Sequence, residues 1–439
     1  MTISRCILLR RTWERGNDMA GNNSDSKQSR KDAKRDARIE AKRRKLAEQR
    51  AGRTVEPAVK AASPAQADVQ SKRPSLFKRS GNKRNGGGFR WTPKFIAASA
   101  FALLVLIGIV WGALEIADYL DKKPEFIVTD EGFSHADKFD GCVPLNGIDV
   151  SVHQEGEINW ERVKSSGVDF VFVRAGYRAA DNGSLHKDEN FDANMKGAEK
   201  AGLMVGAYFY SQALTPGEAK EEAEYILDLV KDYDITMPLV IDYEIYEGGR
   251  LDKKIQAGEL YAASFYHDIV LGFTNTVEAA GYESAVYANR SMLTNYMQAD
   301  LIDDMATIWL AKYDRTADFD ADYWFWQCSE NGRAGGIEGS VDQNFWYIQP
   351  EKVYETRARH KKSAVSVRDC RISFRKSVTR LRNFRAVPKF DMTCEGKGMR
   401  EGRDYISSVV HNTQSGTGYV IVRGIGKYKD WIMYPFEIE

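Results

Sequence analysis

The apolar positions of this chain fall into three patterns. Between Asn146 and Gln349 short apolar runs of strand length recur: GIDVS (147–151), FVFVRAGY (170–177), LMVGAYFYS (203–211), PLVIDYE (238–244), SAVYANR (284–290), TIWLAKY (307–313), YWFWQCS (323–329) and VDQNFW (341–346). Between the earlier runs the period becomes that of an amphipathic helix, in INWERVKSSG, NFDANMKGAEKAG, TPGEAKEEAEYILDLVKDY and GELYAASFYHDIVLGFTNTVEAAG. The third of these opens with Thr215 as a cap, Pro216 at the first helical position and Glu218 three residues after the cap. Gly202 and Gly281 are placed to end helices. Strand and helix in alternation, then strands with little helix between them, predict an α/β fold: an irregular TIM-like barrel over 146–350.

The second pattern is a single unbroken run. Phe95–Leu114, FIAASAFALLVLIGIVWGAL, contains no charge over 20 residues. At about 1.5 Å per residue a helix of that length matches a hydrocarbon core of about 30 Å. Trp91 and Trp111 stand near its ends, where amphipathic rings favour the interface. The basic stretch KRSGNKRNGGGFRWTPK precedes it and EIADYLDKKPE follows, so the positive-inside rule predicts one transmembrane helix (95–118) with a cytoplasmic N-terminus and everything after it outside the cell. A core helix or a signal peptide would be the other readings of such a run; a cleaved signal has a shorter apolar stretch near the chain start.

The third pattern is the near-absence of large aliphatics over 20–90, which are rich in Lys, Arg, Ala, Ser and Gln. Such a composition buries too little to fold, and residues 1–94 are expected to be a largely disordered cytoplasmic tail, with ARIEAKRRKLAEQR as a short charged helix. It reads as a solvated topology signal beside the membrane rather than a nucleic-acid arm, and no nucleic-acid partner is expected. Residues 119–145 are expected to be a linker.

Charge sharpens this division. The chain of 439 residues has a net charge of +1, which comes from +16 over 1–94, −24 over 95–350 and +9 over 351–439. With 43% apolar and 11% aromatic residues a large core is within reach, which excludes wholly disordered and collagenous classes. Five cysteines, without CxxC or Cys/His ligand spacing, argue against a structural zinc site, and neither metal nor cofactor is expected.

In a parallel barrel, chemistry gathers at the C-terminal strand ends. Carboxylates lie there: Asp149 on the first strand, Asp242 and Glu244 on the fourth, Asp342 at the start of the last. In VIDYE residues i and i+2 share a face, so Asp242 and Glu244 project together, and two such close carboxyls suit one to acid work while the other stays charged. Tyr177, Tyr208, Tyr210, Tyr287, Trp309, Tyr313 and Trp326 crowd the same ends. Singly, an aspartate at a strand end caps a turn and an aromatic there packs in the core. Together, carboxylates walled by rings describe a sugar-cleaving cleft, because rings stack on the apolar faces of pyranoses.

GIDVSVHQ, FVFVRAGY, VGAYFYS, LVIDYE, WLAKY, WFWQ and VDQN, in this order over about 146–349, resemble the family 25 glycoside hydrolases, lysozymes of the Chalaropsis type. The resemblance implies a (β/α)5(β)3 barrel that hydrolyses the β-1,4 bond between N-acetylmuramic acid and N-acetylglucosamine in peptidoglycan. It implies Glu244 as proton donor, with Asp242, Asp149 and Asp342 as the accompanying catalytic carboxylates. Either the substrate's 2-acetamido group attacks while Asp242 orients it, or Asp149 or Asp342 attacks directly. Tyr177, Tyr208, Tyr210, Tyr287, Trp309 and Tyr313 are the substrate-binding candidates, His153 a supporting hydrogen-bonding group, and Arg174 a partner for a carboxylate. Cys328 is expected to pack, or to pair with Cys142.

After Pro350 the resemblance stops. Residues 351–439 are basic, with two β-like runs in YVIVRGIGKYKDWIMYPFEI, and either a small wall-binding module or a poorly structured tail fits them. The whole predicts a peptidoglycan hydrolase anchored in the cell membrane by one helix, with its barrel facing the wall. A catalytically idle wall-binding module is the alternative, and a soluble lysin is disfavoured by 95–114.

Overall fold

A computed structural model describes residues 93–154, 156–259, 262–303, 305–350 and 364–439, so the tail expected over 1–94 lies outside the described residues up to residue 92. Helix α1 (Pro93–Lys122) runs through the apolar stretch, and its segment Ala100–Lys122 is long and apolar enough to cross a membrane. Phe101, Leu104, Trp111 and Leu114 lie exposed along it. The chain divides within this helix, after Val110, and the unit that follows runs from Trp111 to Glu439.

All eight strands read from the sequence form: β1 (Val143–Val150), β2 (Phe170–Arg178), β4 (Met204–Ser211), β5 (Leu239–Tyr243), β6 (Ser284–Asn289), β7 (Thr307–Ala311), β8 (Phe325–Gly332) and β9 (Val341–Ile348). They join side by side in the order β1-β9-β8-β7-β6-β5-β4-β2, and β1 pairs with β2 to close the barrel; the short β3 (Leu185–Lys187) is a hairpin partner of β2. Parallel neighbours need a crossover, supplied by α2 (Trp160–Ser165), α3 (Phe191–Lys200), α4 (Pro216–Val230) and α6 (Ala263–Ala279). The late irregularity is β9, antiparallel to both β8 and β1, because a glycine-rich connection after Gly332 turns the chain straight back. Helix α5 (Arg250–Gln256) had not been read from the sequence, nor had the short helical segments Arg290–Met292, Leu293–Met297 and Ala299–Asp303 between β6 and β7.

The caps behave as their residues dictate. Thr215 Oγ1 accepts from Glu218 N at 3.1 Å, and Glu218 Oε2 reaches back to Leu214 N at 2.7 Å. Gly202 and Gly281 follow helix ends at φ of +76° and +87°, where a Cβ would be strained.

Two apolar layers result. One lies between the strands and the helices, with Val171, Val173, Phe209, Ile241, Ile269 and Phe273 fully buried. The other fills the barrel itself. Phe172 stacks on Trp309 (centroids 4.3 Å apart, 24°) and Phe325 on Trp346 (5.1 Å, 25°). Glycines make room for these rings: a Cβ at Gly147 would stand 2.2 Å from the Phe170 ring, and one at Gly206 2.5 Å from Phe172. The interior is thus a packed floor rather than a pore.

Residues 119–145 are not a free linker. Phe139 stacks on Tyr347 at 3.6 Å and 3°, Lys138 Nζ donates to Ala321 O at 2.6 Å, and Val128 N donates to Ser166 O at 2.7 Å.

The C-terminal segment folds, which corrects the reading of it as a poorly structured tail. Over 364–439 it forms strands β10 to β18, among them the short β10 (Val365–Ser366), β12 (Val378–Thr379), β14 (Lys397–Gly398) and β17 (Tyr428–Lys429), with a core of its own: Val367, Met392, Val420, Val422, Phe436 and Ile438. Cys370 and Cys394 form a disulfide across the paired β11 (Cys370–Phe374) and β13 (Phe390–Cys394). The sheet of β15 (Tyr405–Val410), β16 (Gly416–Gly424) and β18 (Trp431–Ile438), with β12 at its edge, buries part of each face, while the middle of β15 is half-buried and Pro435 and Glu437 of β18 are exposed. Its second face (Val410, Ile421, Trp431 and Met433) packs on Leu145, Phe170, Met204 and Ile348 at the N-terminal end of the barrel. Polar contacts frame this junction: Lys164 Nζ donates to Val409 O at 2.7 Å, His411 N to Asp169 Oδ1 at 3.0 Å, and Arg385 Nη2 to Glu161 Oε2 at 2.5 Å.

Candidate active site

At the opposite, C-terminal end of the barrel, strand alternation decides which side chains line the mouth. On β1 and β9, Asp149 and Asp342 are register partners; on β4, β5 and β6, Tyr210, Asp242 and Tyr287 stand side by side. Asp149 and Asp242 are buried, whereas Glu244, just past β5, and Asp342 are half-buried. Between them, Tyr243 points outward and donates its hydroxyl to Ala213 O at 2.8 Å, so Asp242 and Glu244 share the inward side as their spacing predicts.

The electrostatics show the four carboxylates gathered around two phenols. Burial pushes the Tyr208 hydroxyl well above its usual range, and the charges of Asp149, Asp242 and Asp342 push it further, against the pull of Arg174. Burial likewise raises Tyr287, with Tyr313, Glu244, Asp242 and Asp149 adding to it. Both therefore stay neutral hydrogen-bonding groups at physiological pH. Burial alone would lower the guanidinium of Arg174, but Tyr208, Asp188 and Asp242 together raise it. Its Nε donates to Asp188 Oδ2 at 2.7 Å. Asp188 also accepts from Val152 N (3.0 Å) and Asn190 N (2.9 Å), tying the loop after β1 to the cation.

Asp149 is held by amides that sequence reasoning did not single out. Gln327 Nε2 and Asn344 Nδ2 donate to its Oδ2 at 2.7 and 2.8 Å. Each amide is held in turn: Tyr287 OH donates to Gln327 Oε1 (2.8 Å) and Trp309 Nε1 to Asn344 Oδ1 (2.9 Å). An indole N–H only donates, so the Asn344 oxygen must face Trp309 and its NH2 must face Asp149. The motifs WFWQ and VDQN contained both amides; their period-2 placement beside Asp149 was the signal available.

The six aromatic candidates separate into two groups. Trp309 is 1% exposed, beneath the mouth and stacked on Phe172, and Tyr208 and Tyr287 are buried beside it. These three are buried beside the carboxylates, where side chains that reach the central floor must fill it. Tyr177, Tyr210 and Tyr313 are half-buried at the rim. A register shift between Arg174 and Gly176 turns Tyr177 to the same side as Tyr210, its strand partner, and its ring stacks on His186 at 5.1 Å. Tyr246, 47% exposed just beyond Glu244, joins the rim without having been anticipated. Trp326 faces away from the mouth, packed on Phe345 and donating to Lys312 O at 2.8 Å, because its neighbours Phe325 and Gln327 take the inward positions. His153 is exposed. Cys328 packs, its Sγ donating to Gln343 O at 3.3 Å, and neither it nor Cys142 is in a disulfide. Among the described residues no group of three or more His, Cys, Asp or Glu is placed to hold a metal ion.

A family model described as glycosyl hydrolases family 25 matches residues 148–337. Residues 148–337 are a glycosyl hydrolase family 25 domain. Sequence relatives agree. The chain is 28% identical over 218 residues to lysozyme M1 of Streptomyces globisporus, covering 46% of this chain and 67% of that protein. It is 26% identical over 199 residues to the autolytic lysozyme of Clostridium acetobutylicum, covering 45% and 54%. The chain thus spans between about half and two thirds of these relatives. Among solved structures, the bacterial lysozyme of Streptomyces coelicolor is 26% identical with a TM-score of 0.39, over 46% of this chain and 92% of that one. The family 25 match ends at residue 337, ahead of β9, so Asp342 and Asn344 enter the site through the strand that closes the barrel.

Proposed function

We propose that the protein is a membrane-anchored N-acetylmuramidase that cleaves the β-1,4 bond between N-acetylmuramic acid and N-acetylglucosamine in peptidoglycan. The observation that carries this reading is the convergence of Asp149, Asp242, Glu244 and Asp342 on one aromatic-rimmed mouth at the C-terminal strand ends of a family 25 barrel. In this reading Glu244, the more open member of the D-x-E pair, donates a proton to the glycosidic oxygen. The buried Asp242 beside it stabilises the positive charge that develops at the sugar. Asp149, held by Gln327 and Asn344, and Asp342 opposite it supply the remaining negative charge along the cleft. Tyr177, Tyr210, Tyr246 and Tyr313 offer ring faces at the rim. Hydrolysis follows when the leaving sugar departs and water adds to the anomeric carbon.

The apolar length of α1 and the basic residues ahead of it support anchoring with the barrel outside the cell. The Cys370–Cys394 disulfide fits the same side, since such bonds persist in oxidising surroundings. Glu244→Gln should keep the fold and abolish release of muropeptides from purified walls; lysis at the parent rate would remove Glu244 from the role.

A further inference from the structure

The last turn of α1, within the unit that starts at Trp111, is fastened at several points. Asn159 Nδ2 donates to Asp121 Oδ1 (3.0 Å), and Arg162 Nε to Asp121 O (2.7 Å). From the C-terminal domain, Asn383 Nδ2 donates to Asp118 Oδ2 (3.1 Å) and the Phe384 ring lies 5.0 Å from that of Tyr119. Asn383 and Phe384 form the tip of a tight turn closed by Arg382 N to Arg385 O (2.8 Å) and Arg385 N to Arg382 O (3.1 Å). Both tip residues have positive φ, +47° and +66°, a conformation a phenylalanine rarely adopts. The turn is therefore held against Asp118 and Tyr119 in the last turns of the helix, about 6 Å or one helical turn beyond Leu114, the last residue of the uncharged run.

The charges around this turn are unequal. Most acids of the helix end are engaged, Asp118 by Lys122 (2.8 Å) and Asn383, Asp121 by Asn159 and Glu125 by Arg162 (3.9 Å), while the exposed Glu115 forms no ion pair among the described residues. Arg385 is spent on Glu161. The exposed Arg382 and Lys389 form no ion pair among the described residues, and Arg380 has only Glu439, at 4.0 Å. Between Arg382 and Lys389, Val387 is 63% exposed, flanked by the buried Ala386 and Pro388.

We propose that the turn Arg382–Lys389 is a membrane-surface contact, in which Arg382 and Lys389 meet the phosphates of anionic lipid headgroups and Val387 enters the interface beside them. The proposal rests on the anchoring of α1. Unpaired basic side chains flanking an exposed apolar one, a few ångströms past the end of a span, are what an anionic headgroup layer attracts. A wall polymer carries similar phosphates, but the fastening of this turn to the end of the span favours the bilayer. The contact would give the barrel a fixed attitude above the membrane instead of a swinging tether.

The test uses the full chain, with a photo-crosslinking amino acid in place of Val387, reconstituted into vesicles of phosphatidylcholine alone or mixed with phosphatidylglycerol. Lipid adducts should form mainly with the anionic mixture and fall as salt rises. Each basic side chain near an anionic surface is worth about a fivefold preference, so Arg382→Gln with Lys389→Gln should lower the docked-to-undocked ratio about 25-fold while wall clearing stays at the parent rate. Adduct yields indifferent to lipid charge and to these substitutions, in a chain that resists alkaline extraction, would overturn the contact and leave the anchor standing. A chain that alkali extracts would remove the anchor, and this contact with it. If the detergent-solubilised chain instead binds poly(glycerol phosphate) through Arg382 and Lys389 while adducts ignore lipid charge, the patch belongs to a wall polymer and the proposal is wrong.

Discussion

Trp309→Phe is the sharpest probe of the mouth, because it changes one hydrogen bond while leaving a ring in the floor. The indole Nε1–H fixes the Asn344 amide, and Asn344 Nδ2 donates to Asp149 Oδ2 at 2.8 Å. Without the indole donor, the amide can turn its oxygen toward the carboxylate. A neutral hydrogen bond of this kind contributes about 1 kcal/mol to stability, and one to a charged group about 1.5–3 kcal/mol. Asn344→Ala should therefore lower kcat/KM on purified peptidoglycan about 10- to 100-fold, since about 1.4 kcal/mol is a factor of ten. Trp309→Phe, which only loosens the amide and removes one neutral hydrogen bond of about 1 kcal/mol, should cost about fivefold by the same arithmetic. The double variant carries the argument: with no amide left to orient, losing the indole should add almost nothing to Asn344→Ala, a coupling of about 1 kcal/mol. Rates come from reducing ends released per folded enzyme, with folded fraction taken from thermal unfolding. If the two losses multiply instead, or if Trp309→Phe alone retains the parent rate, Trp309 does not act through Asn344 and the account of Asp149 fails.

Three further outcomes are expected. Phe172→Ala, which empties the floor beneath the carboxylates, should cost about 3–5 kcal/mol in denaturant unfolding, and a cost under about 1 kcal/mol would mean the rings are not a packed floor. Replacing both Cys370 and Cys394 by Ser opens a link between residues 24 apart in sequence and should destabilise the C-terminal domain by about 3 kcal/mol, read as a lower Tm that reductant no longer shifts. Burial pushes Lys164 down to about 8, with Asp169 opposing and Arg385 adding to the effect. The unfolded lysine, at 10.5, then holds the proton that the folded one has released, so stability should rise with pH between about 8 and 10.5. Lys164→Met should flatten that rise relative to the parent, a difference on the order of 3 kcal/mol across the window, and identical pH profiles would contradict it.

Strand periodicity was enough to place the barrel, because each of the eight runs is bounded by turn residues and each carries a side chain for the floor or the mouth. It also placed Asp149, Asp242, Glu244 and Asp342 together, since residues at strand ends inherit their neighbours from the barrel's closure. Two things escaped it. Sequence does not give height along the barrel axis, so Trp309 in the floor and Tyr313 at the rim, on one strand and its continuation, read alike. Polar residues that serve a carboxylate are also silent: Gln327 and Asn344 look like ordinary amides until β8 and β9 bring them to Asp149. The C-terminal domain was hidden by a different cause. Its sheet puts apolar side chains on both faces, Val420, Val422, Phe436 and Ile438 in its own core and Val410, Ile421, Trp431 and Met433 against the barrel, so its apolar runs show no clean polar alternation.

The same two-faced sheet bears on how the chain divides its labour. A barrel has two open ends, and its strand termini leave apolar side chains at the N-terminal end that must be covered. Here Val410, Ile421, Trp431 and Met433 cover Leu145, Phe170, Met204 and Ile348, while the opposite end is left open and lined with carboxylates. One end is closed for stability and the other is free for chemistry. The charge division follows the same logic: the acidic excess falls in the segment that holds the cleft, and the C-terminal domain, at +9 with its flanking residues 351–363, is basic. Carrying these carboxylates in the acidic segment rather than in the basic domain sets them among like charges, and Arg174, which interacts there with Asp242, is itself secured by Asp188.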